Sequence, residues 1–277
     1  MALPDIQDQV DERGIELDRV GIAGVQYPVR FNDGSTQHSG IATFDVTVTL
    51  PGDRRGTHMS RMVEVIHDEL QDLEPERLPQ ALKVAADRLD VDRVQVGVAL
   101  PMAFLVRAPA SANEAWQVCD VEFEATHSAD QTELAVTVGT DVTSLCPCSK
   151  AISDYGAHNQ RSRVRLSTMG RDEDVYPVNV ATAFAMIRSI GSSPVFPLIK
   201  RPDERVLTME AHDHPAFVED MARDLSQACR ERGVTHAVSV RNFESIHSHD
   251  AVASVVWAPP ATGNRRREGR EIASCGG

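Results

Sequence analysis

The chain has 277 residues, of which 42% are hydrophobic and 25% charged, and its formal net charge is −13. This composition is ordinary for a globular protein, and the acidity argues against a general nucleic-acid binder, which would need a basic surface. Because the sequence has neither a membrane-length apolar run nor a basic-then-apolar N-terminal signal, and its five cysteines are scattered, we expect a cytoplasmic protein with free thiols and no membrane partner.

The first half of the chain has the pattern strand, strand, helix, helix, strand, strand. Alternation of apolar and polar residues indicates the strands, and apolar residues at helical spacing indicate the helices. The predicted elements are strands at 24–31 and 41–50, helices from Thr57 and from about Leu78, and strands at 92–108 and 116–126. We therefore assign 1–19 to an N-terminal arm and 20–130 to a first ββααββ unit.

The second half repeats this order. The predicted elements are a strand at 134–142, a strand that includes 164–166, helices at 179–190 and 215–232, and strands at 236–243 and 251–257. Residues 131–258 would then be a second unit, although the halves share little residue identity. We expect an α+β fold in which antiparallel sheets carry helix pairs on one face, followed by a flexible tail at 259–277.

Residues 144–161 concentrate side chains that can do chemistry. They read Ser-Leu-Cys-Pro-Cys-Ser-Lys-Ala-Ile-Ser-Asp-Tyr-Gly-Ala-His-Asn-Gln-Arg. Pro147 fixes the backbone between Cys146 and Cys148, and a glycine permits a turn that brings His158 back towards the thiols. A thiolate beside an imidazole is either a ligand pair for a divalent metal or a nucleophile with its base, and both interpretations remain open at this point.

Two other segments carry clustered polar side chains. Residues 198–204 (Leu-Ile-Lys-Arg-Pro-Asp-Glu) are predicted to be a loop between the helices of the second unit, and residues 244–250 (Glu-Ser-Ile-His-Ser-His-Asp) a turn between the last two strands. Side chains in such connections often converge on one site. Of the other four thiols, Cys119, Cys148 and Cys229 are expected to be small buried hydrophobic groups, and Cys275 an inert thiol in the tail.

Together with Gly56-Thr-His-Met-Ser-Arg61 and Phe217-Val-Glu-Asp220, these segments resemble the type IB GTP cyclohydrolases over about residues 5–258. The resemblance implies tandem units of the tunnelling fold (T-fold) and a homotetramer with sites at subunit interfaces. It also implies conversion of GTP and water to 7,8-dihydroneopterin triphosphate and formate, the first step of folate and related pterin biosynthesis.

The resemblance also implies roles for individual residues. It implies one divalent metal per site, Zn, Mn or Fe(II), held by Cys146, His158, Glu204 and His247, with Asp203 as the alternative to Glu204. The expected catalytic residues are Cys146 and His158, which would hold the metal that activates water for attack on guanine C8, and Glu244 and His249, which are candidates for moving protons. Glu219 is expected to bind the guanine, and the cations Arg61, Lys200 and Arg161 are candidates for the triphosphate.

Two other kinds of protein compete with this interpretation. A T-fold nitrile reductase would also use a cysteine and a purine-binding glutamate, but the sequence has no dinucleotide-binding glycine motif. A non-catalytic module with a structural zinc would favour paired C-x₂-C ligands, whereas this chain has C-x-C. NADPH consumption would favour the reductase, and a chelator-resistant metal without GTP turnover would favour the binding module.

Overall fold

The computed structural model describes residues 6–7 and 9–260. Its strands are β1 (Leu17–Asn32), β2 (Gln37–Leu50), β3 (Asp72–Leu73), β4 (Arg93–Ala99), β5 (Met102–Arg107), β6 (Glu114–Ser128), β7 (Gln131–Leu145), β8 (Asn159–Arg171), β9 (Ser193–Pro194), β10 (Thr235–Asn242) and β11 (Ala251–Trp257). Its α-helices are α1 (Met59–Val65), α2 (Leu78–Leu89), α3 (Pro147–Ile152), α4 (Val180–Ile190), α5 (Arg201–Asp213) and α6 (Val218–Glu231). A π-helical turn (Ile66–Leu70) follows α1, and a 3-10 turn (Pro75–Arg77) precedes α2.

The strands form a large sheet in the order β11-β10-β8-β7-β6-β4-β2-β1-β3. Every pairing along this order is antiparallel except the short parallel pairing of β1 with β3. β6 and β7 pair along most of their length, so the strands of the two halves of the chain belong to one sheet. The mixed α+β class and the antiparallel sheet expected from the sequence are therefore confirmed.

One face of the sheet is covered by helices. The helix α2 packs against β4, β6 and β7, α4 packs against β7 and β8, and α6 packs against β10 and β11. The alternating apolar residues of the strands meet these helices in a continuous core that includes the fully buried Phe44, Phe123, Leu166 and Leu225. The opposite face carries ion pairs between neighbouring strands, such as Arg163 of β8 with Asp141 of β7 at 2.8 Å.

Some predicted boundaries are wrong. The segment predicted as a strand at 92–108 is divided into β4 and β5, because the chain turns at Pro101, which has no N–H for a continuous ladder. The strand β1 begins at Leu17, within the segment assigned to the arm. The last helix begins at Val218, three residues after Pro215, because the carboxylate of Asp220 accepts a hydrogen bond from the N–H of Phe217 and fixes the first turn there.

The largest error concerns residues 198–204, which were predicted to be a loop. Lys200 is the N-cap of α5, so residues 201–204 form the first turn of a helix. Pro202 near the helix start and the Asp203 carboxylate, which accepts from the N–H of Lys200 at 2.8 Å, are the signals that mark this start. The helix escaped prediction because its exposed positions are mostly charged and its apolar stripe is short.

Two further sequence predictions concern the tail and the membrane. Positions 259 and 260 are the described part of the predicted tail, and the rest of it, 261–277, lies outside the described residues, as do positions 1–5 and 8 of the predicted arm. Within the part of the chain that the structure describes, no helix has both the length and the apolar character needed to cross a bilayer.

Candidate functional site

Two of the three segments predicted to supply the site meet at the ends of the strands β7, β8 and β10. The strand β7 ends at Leu145, which pairs with Asn159 at the start of β8, and β10 ends at Asn242, which pairs with Ser162. This antiparallel register places the 146–158 connection beside the 243–250 turn. Between them lies a cleft of about 300 Å³, lined by Ser144, Cys146, Cys148, His158, Gln160, Ala216, Phe217, Asn242, Glu244, His247, His249 and Ala251.

The backbone brings Cys146 and His158 together. Cys146 is the N-cap of the short helix α3, and its sulfur accepts a hydrogen bond from the N–H of Ser149 at 3.4 Å. The chain then turns back at Gly156, whose φ of +57° lies in the left-handed region that favours glycine. The loop closes where the N–H of Cys146 donates to the carbonyl oxygen of His158 at 3.0 Å. The turn predicted from the glycine is thus confirmed.

His158 has two side-chain partners in the cleft. Its Nδ1 lies 2.8 Å from the Oε1 of Gln160 and 3.9 Å from the Oε2 of Glu244. An amide oxygen accepts hydrogen bonds and cannot donate them, so Nδ1 carries a hydrogen, and in the neutral form of the ring the lone pair is then on Nε2. The side chains of His158 and Glu244 are only 12% and 10% exposed, so both are largely shielded from water.

The turn between β10 and β11 adds two more imidazoles. The rings of His158 and His247 are nearly perpendicular, with centroids 6.4 Å apart. The rings of His247 and His249 are nearly parallel, with centroids 5.3 Å apart. Because His247 and His249 belong to an exposed turn, they face the mouth of the cleft and His158 lies deeper.

The donor set of the cleft fits a divalent metal in its chemistry. A thiolate, imidazoles and a carboxylate are the ligands that zinc and neighbouring transition metals prefer. Two imidazoles on one tetrahedral zinc have ring centres about 5 Å apart, which is closer than the 6.4 Å between His158 and His247. Accordingly, among the described residues no three His, Cys, Asp or Glu side chains lie close enough together to hold one metal ion as they stand. Binding would need an inward movement of the exposed turn.

A buried chain of hydrogen bonds supports the floor of the cleft. The hydroxyl of Ser162 donates to the Oδ1 of Asn242 at 2.5 Å, and the Nδ2 of Asn242 donates to the hydroxyl of Ser144 at 3.0 Å. Ser144 in turn donates to the carbonyl oxygen of Ala216 at 2.8 Å. This chain fixes the entry to α6 against the ends of β7, β8 and β10. No role was predicted for Asn242 or Gln160 from the sequence, because neither amide carries a charge or a metal-ligand signature.

The two carboxylates considered as the fourth ligand lie elsewhere. Glu204 is on the exposed side of α5 and does not line the cleft. Asp203 is buried, and its carboxylate accepts hydrogen bonds from the N–H groups of Ala110, Ser111 and Lys200 and from the Ser111 hydroxyl. Burial raises the pKa of Asp203, but these hydrogen bonds outweigh it and hold the pKa well below its usual range. Asp203 therefore anchors α5 to the β5–β6 connection.

The expected substrate-binding residues are also apart from this cleft within one chain. Glu219, in the first turn of α6, lines a separate groove of about 570 Å³ between α6 and β11. Arg161 lies 3.8 Å from the Asp141 carboxylate. Arg61 is on α1, in the other half of the chain, and Lys200 is the exposed N-cap of α5.

The thiols divide into two groups. Cys119 and Cys229 are buried, as predicted, and burial raises the pKa of the Cys119 thiol to about 12 and also raises that of Cys229. The prediction for Cys148 is wrong, because this side chain is exposed at the start of α3 and lines the cleft with Cys146. Neither side chain of the C-x-C pair is in the core, since the first turn of a short surface helix carries both.

Comparison with known proteins gives matches over almost the whole chain. A family model described as type I GTP cyclohydrolase folE2 matches residues 3–253. The GTP cyclohydrolase FolE2 of Methylococcus capsulatus is 40% identical over 261 residues, which cover 92% of this chain and 95% of that protein. The GTP cyclohydrolase FolE2 of Magnetococcus marinus is 38% identical over 258 residues, covering 92% and 96%. Among solved structures, a uricase from Arthrobacter globiformis has a similar fold, with a TM-score of 0.50 and 12% identity over 89% of this chain and 95% of that one.

Proposed function

The chain belongs to the type I GTP cyclohydrolase FolE2 family, and we propose that the cleft at the ends of β7, β8 and β10 is where it converts GTP and water to 7,8-dihydroneopterin triphosphate and formate. The observation that carries this assignment is the convergence of Cys146, His158, Glu244 and His247, from two distant segments, on one cleft. Family membership favours this activity over the nitrile reductase and the non-catalytic metal module. We further assign the chain to the type IB group, with tandem T-fold units and a cytoplasmic location.

Cys146, His158 and His247 are the residues that would hold one divalent metal, and Zn, Mn and Fe(II) all suit this donor set. When bound, such an ion lowers the pKa of water and so supplies a nucleophile at neutral pH. The loop closed by the Cys146–His158 backbone hydrogen bond keeps two of the three metal-binding residues close together. Glu204 belongs to this set only if it comes from a neighbouring subunit or moves, since it is outside the cleft of its own chain.

Glu244 and His249 are the residues that we assign to proton transfer. Hydrolysis at guanine C8 opens the imidazole ring, so the departing ring nitrogen must gain a proton, and the later ribose rearrangement moves further protons. Glu244 is largely shielded from water beside His158, and His249 is at the mouth of the cleft. A carboxyl group inside and an imidazole outside can together pass protons between the substrate and water.

We propose that guanine recognition and triphosphate binding use more than one chain. The carboxylate of Glu219 can accept hydrogen bonds from the guanine N1–H and 2-amino groups, which distinguishes guanine from adenine. Glu219, Arg61, Lys200 and Arg161 do not line the cleft of their own chain, so a neighbouring subunit would supply some of them. This need for residues from elsewhere supports a homotetramer with its sites at subunit interfaces.

The activity is tested on the full-length chain with GTP. Metal-free protein is reconstituted separately with Zn²⁺, Mn²⁺ and Fe²⁺, and formate release and pterin fluorescence are followed together. We expect one formate per pterin with at least one of the ions and no product after chelation. Full turnover in the chelated protein would contradict the metal assignment, and no product with any ion would contradict the proposed reaction.

A further inference from the structure

We propose that Gln160 is a positioning residue of this enzyme: it fixes the tautomer of His158 and keeps the carboxylate of Glu244 free for proton transfer. The inference rests on the proposed function, because it gives both neighbours a role in the reaction. It goes beyond that function in assigning a task to a neutral amide. The observations are a hydrogen bond, a near contact and the burial of Gln160 in β8.

Gln160 is held rigidly where it acts. It lies in β8 opposite Ser144 of β7, and only 8% of the residue is exposed. Its Oε1 lies 2.8 Å from the Nδ1 of His158, which is close to ideal for a hydrogen bond. Because the amide oxygen only accepts, the Nε2 of His158 keeps its lone pair. The neutral imidazole is therefore presented with one defined nitrogen available to a metal.

Glu244 is the competing partner for the same N–H. Its Oε2 is 3.9 Å from the Nδ1 of His158, beyond hydrogen-bond distance but within reach of a small side-chain rotation. A carboxylate is a stronger acceptor than an amide, so Glu244 would take the N–H if Gln160 were absent. Because Gln160 accepts the hydrogen bond from the Nδ1–H of His158, the Glu244 carboxylate remains available for proton transfer. A neutral amide achieves this without adding a second negative charge beside Glu244.

Gln160 also contacts the turn that carries the other catalytic groups. The hydroxyl of Ser245 donates to the same Oε1 at 3.4 Å. The amide thus joins β8 to the segment containing Glu244, His247 and His249. Loss of the amide oxygen should make both this turn and the His158 ring less well fixed. Both effects would change the positions of the metal-binding side chains and leave the core unchanged.

The test compares Gln160→Met, which keeps the length of the side chain but removes the acceptor, with Gln160→Glu, which keeps an acceptor and adds a charge. Gln117→Met is the matched control, because Gln117 is equally buried (7% exposed) and hydrogen-bonded to Thr140 outside the cleft. Each full-length variant is titrated with Co²⁺, whose absorption spectrum reports the ligand geometry. Thermal unfolding of the metal-free proteins measures the structural cost separately.

We expect Gln160→Met to change the Co²⁺ spectrum and to weaken Co²⁺ binding by at most about 10-fold, the low end of the effect of losing a partner behind a metal-binding histidine, because Glu244 rotates to take the N–H. We expect Gln160→Glu to restore most of the binding but little of kcat, and Gln117→Met to leave binding and spectrum unchanged. Adding Glu244→Gln to Gln160→Met should lower kcat less than it does in the wild type.

A Gln160→Met protein that binds Co²⁺ with wild-type affinity and spectrum would overturn the positioning role. If the effects of Gln160→Met and Glu244→Gln on kcat were fully additive, the proposal that Gln160 keeps the Glu244 carboxylate free would be wrong. Failure of the proposed function is distinguishable, because wild-type protein would then bind no Co²⁺ through Cys146 or release no formate from GTP. If the wild-type enzyme binds Co²⁺ and releases formate, and Gln160→Met does the same to the same extent, only the inference about Gln160 is wrong.

Discussion

The backbone N–H of Cys146 donates to the carbonyl oxygen of His158 at 3.0 Å, so a main-chain hydrogen bond ties together two residues twelve positions apart. The spacing of the thiol and the imidazole is therefore set by the geometry of one loop, not by the core. The loop depends on the short helix α3 and on the left-handed turn at Gly156. Changes in this loop should affect the site more than the fold.

Gly156→Ala tests this dependence. The added methyl group meets no atom within 4 Å, so the penalty is the left-handed backbone conformation itself, about 1 kcal/mol. We expect a slightly lower urea midpoint together with weaker metal binding and reduced formate release. Gly34→Ala is the control, since Gly34 has φ of +78° in open space in the β1–β2 turn. It should lose similar stability with no change in metal affinity, and equal losses of affinity in both variants would refute the argument.

The buried amide of Asn242 should contribute mainly to stability. Asn242→Leu removes the partner of the Ser162 hydroxyl and one of the two partners of the Ser144 hydroxyl in a closed environment. We expect a loss of about 1–3 kcal/mol in the free energy of unfolding, measured with urea. Asn113→Leu, a change at a half-buried asparagine outside the cleft, should cost much less. A neutral result for Asn242→Leu would mean that the hydrogen-bond chain does not stabilise the floor of the cleft.

Asp203 should make stability depend on pH in acid. Its pKa in the folded chain is below its usual range, so the charged form is favoured by folding. This stabilisation is complete above the unfolded pKa of about 3.9 and is lost as the pH falls towards the folded pKa. We expect Asp203→Asn to be less stable at neutral pH and the difference from wild type to shrink below about pH 4. Asp224→Asn, at an exposed position of α6, serves as the control, and a pH-independent difference would contradict the assignment.

The thiols should react in the order of their exposure. Cys148 is exposed and Cys146 half-buried, whereas burial raises the pKa of Cys119 to about 12. In a Cys275→Ser background, iodoacetamide should label Cys148 first, and bound metal should protect Cys146. Peptide mass spectrometry would follow each site. Labelling of Cys119 as fast as Cys148 in the folded protein would show that the core opens, contrary to the structure.

How much the sequence could predict depended on the kind of signal. Alternating apolar residues located the long strands, and the apolar stripe of α4 gave that helix within one residue, because burial imposes these periods. The charged helix α5 was missed, since most of its exposed positions give no apolar signal. The placement of Cys146 and His158 in one cleft was expected from motifs, whereas Gln160 was not, because a buried amide is recognised only from the atoms it contacts.

The location of Glu219 and Glu204 shows a second limit of the sequence. Both residues come from motifs that indicate function, and neither lines the cleft of its own chain. A motif identifies a residue but not the subunit whose site it serves. Measurement of the mass of the assembly in solution, together with mixing of Glu219→Ala and Cys146→Ala chains, would reveal sites shared between subunits as partial recovery of activity.

The most direct test of the central claim is metal content and formate release from GTP in wild-type protein and in Cys146→Ser, measured on the same preparations. Cys119→Ser is the matched control, because it changes a buried thiol outside the cleft. We predict about one bound metal per chain and steady formate release for wild type and Cys119→Ser, and loss of both for Cys146→Ser. A Cys146→Ser protein that keeps its metal and its full rate would contradict it.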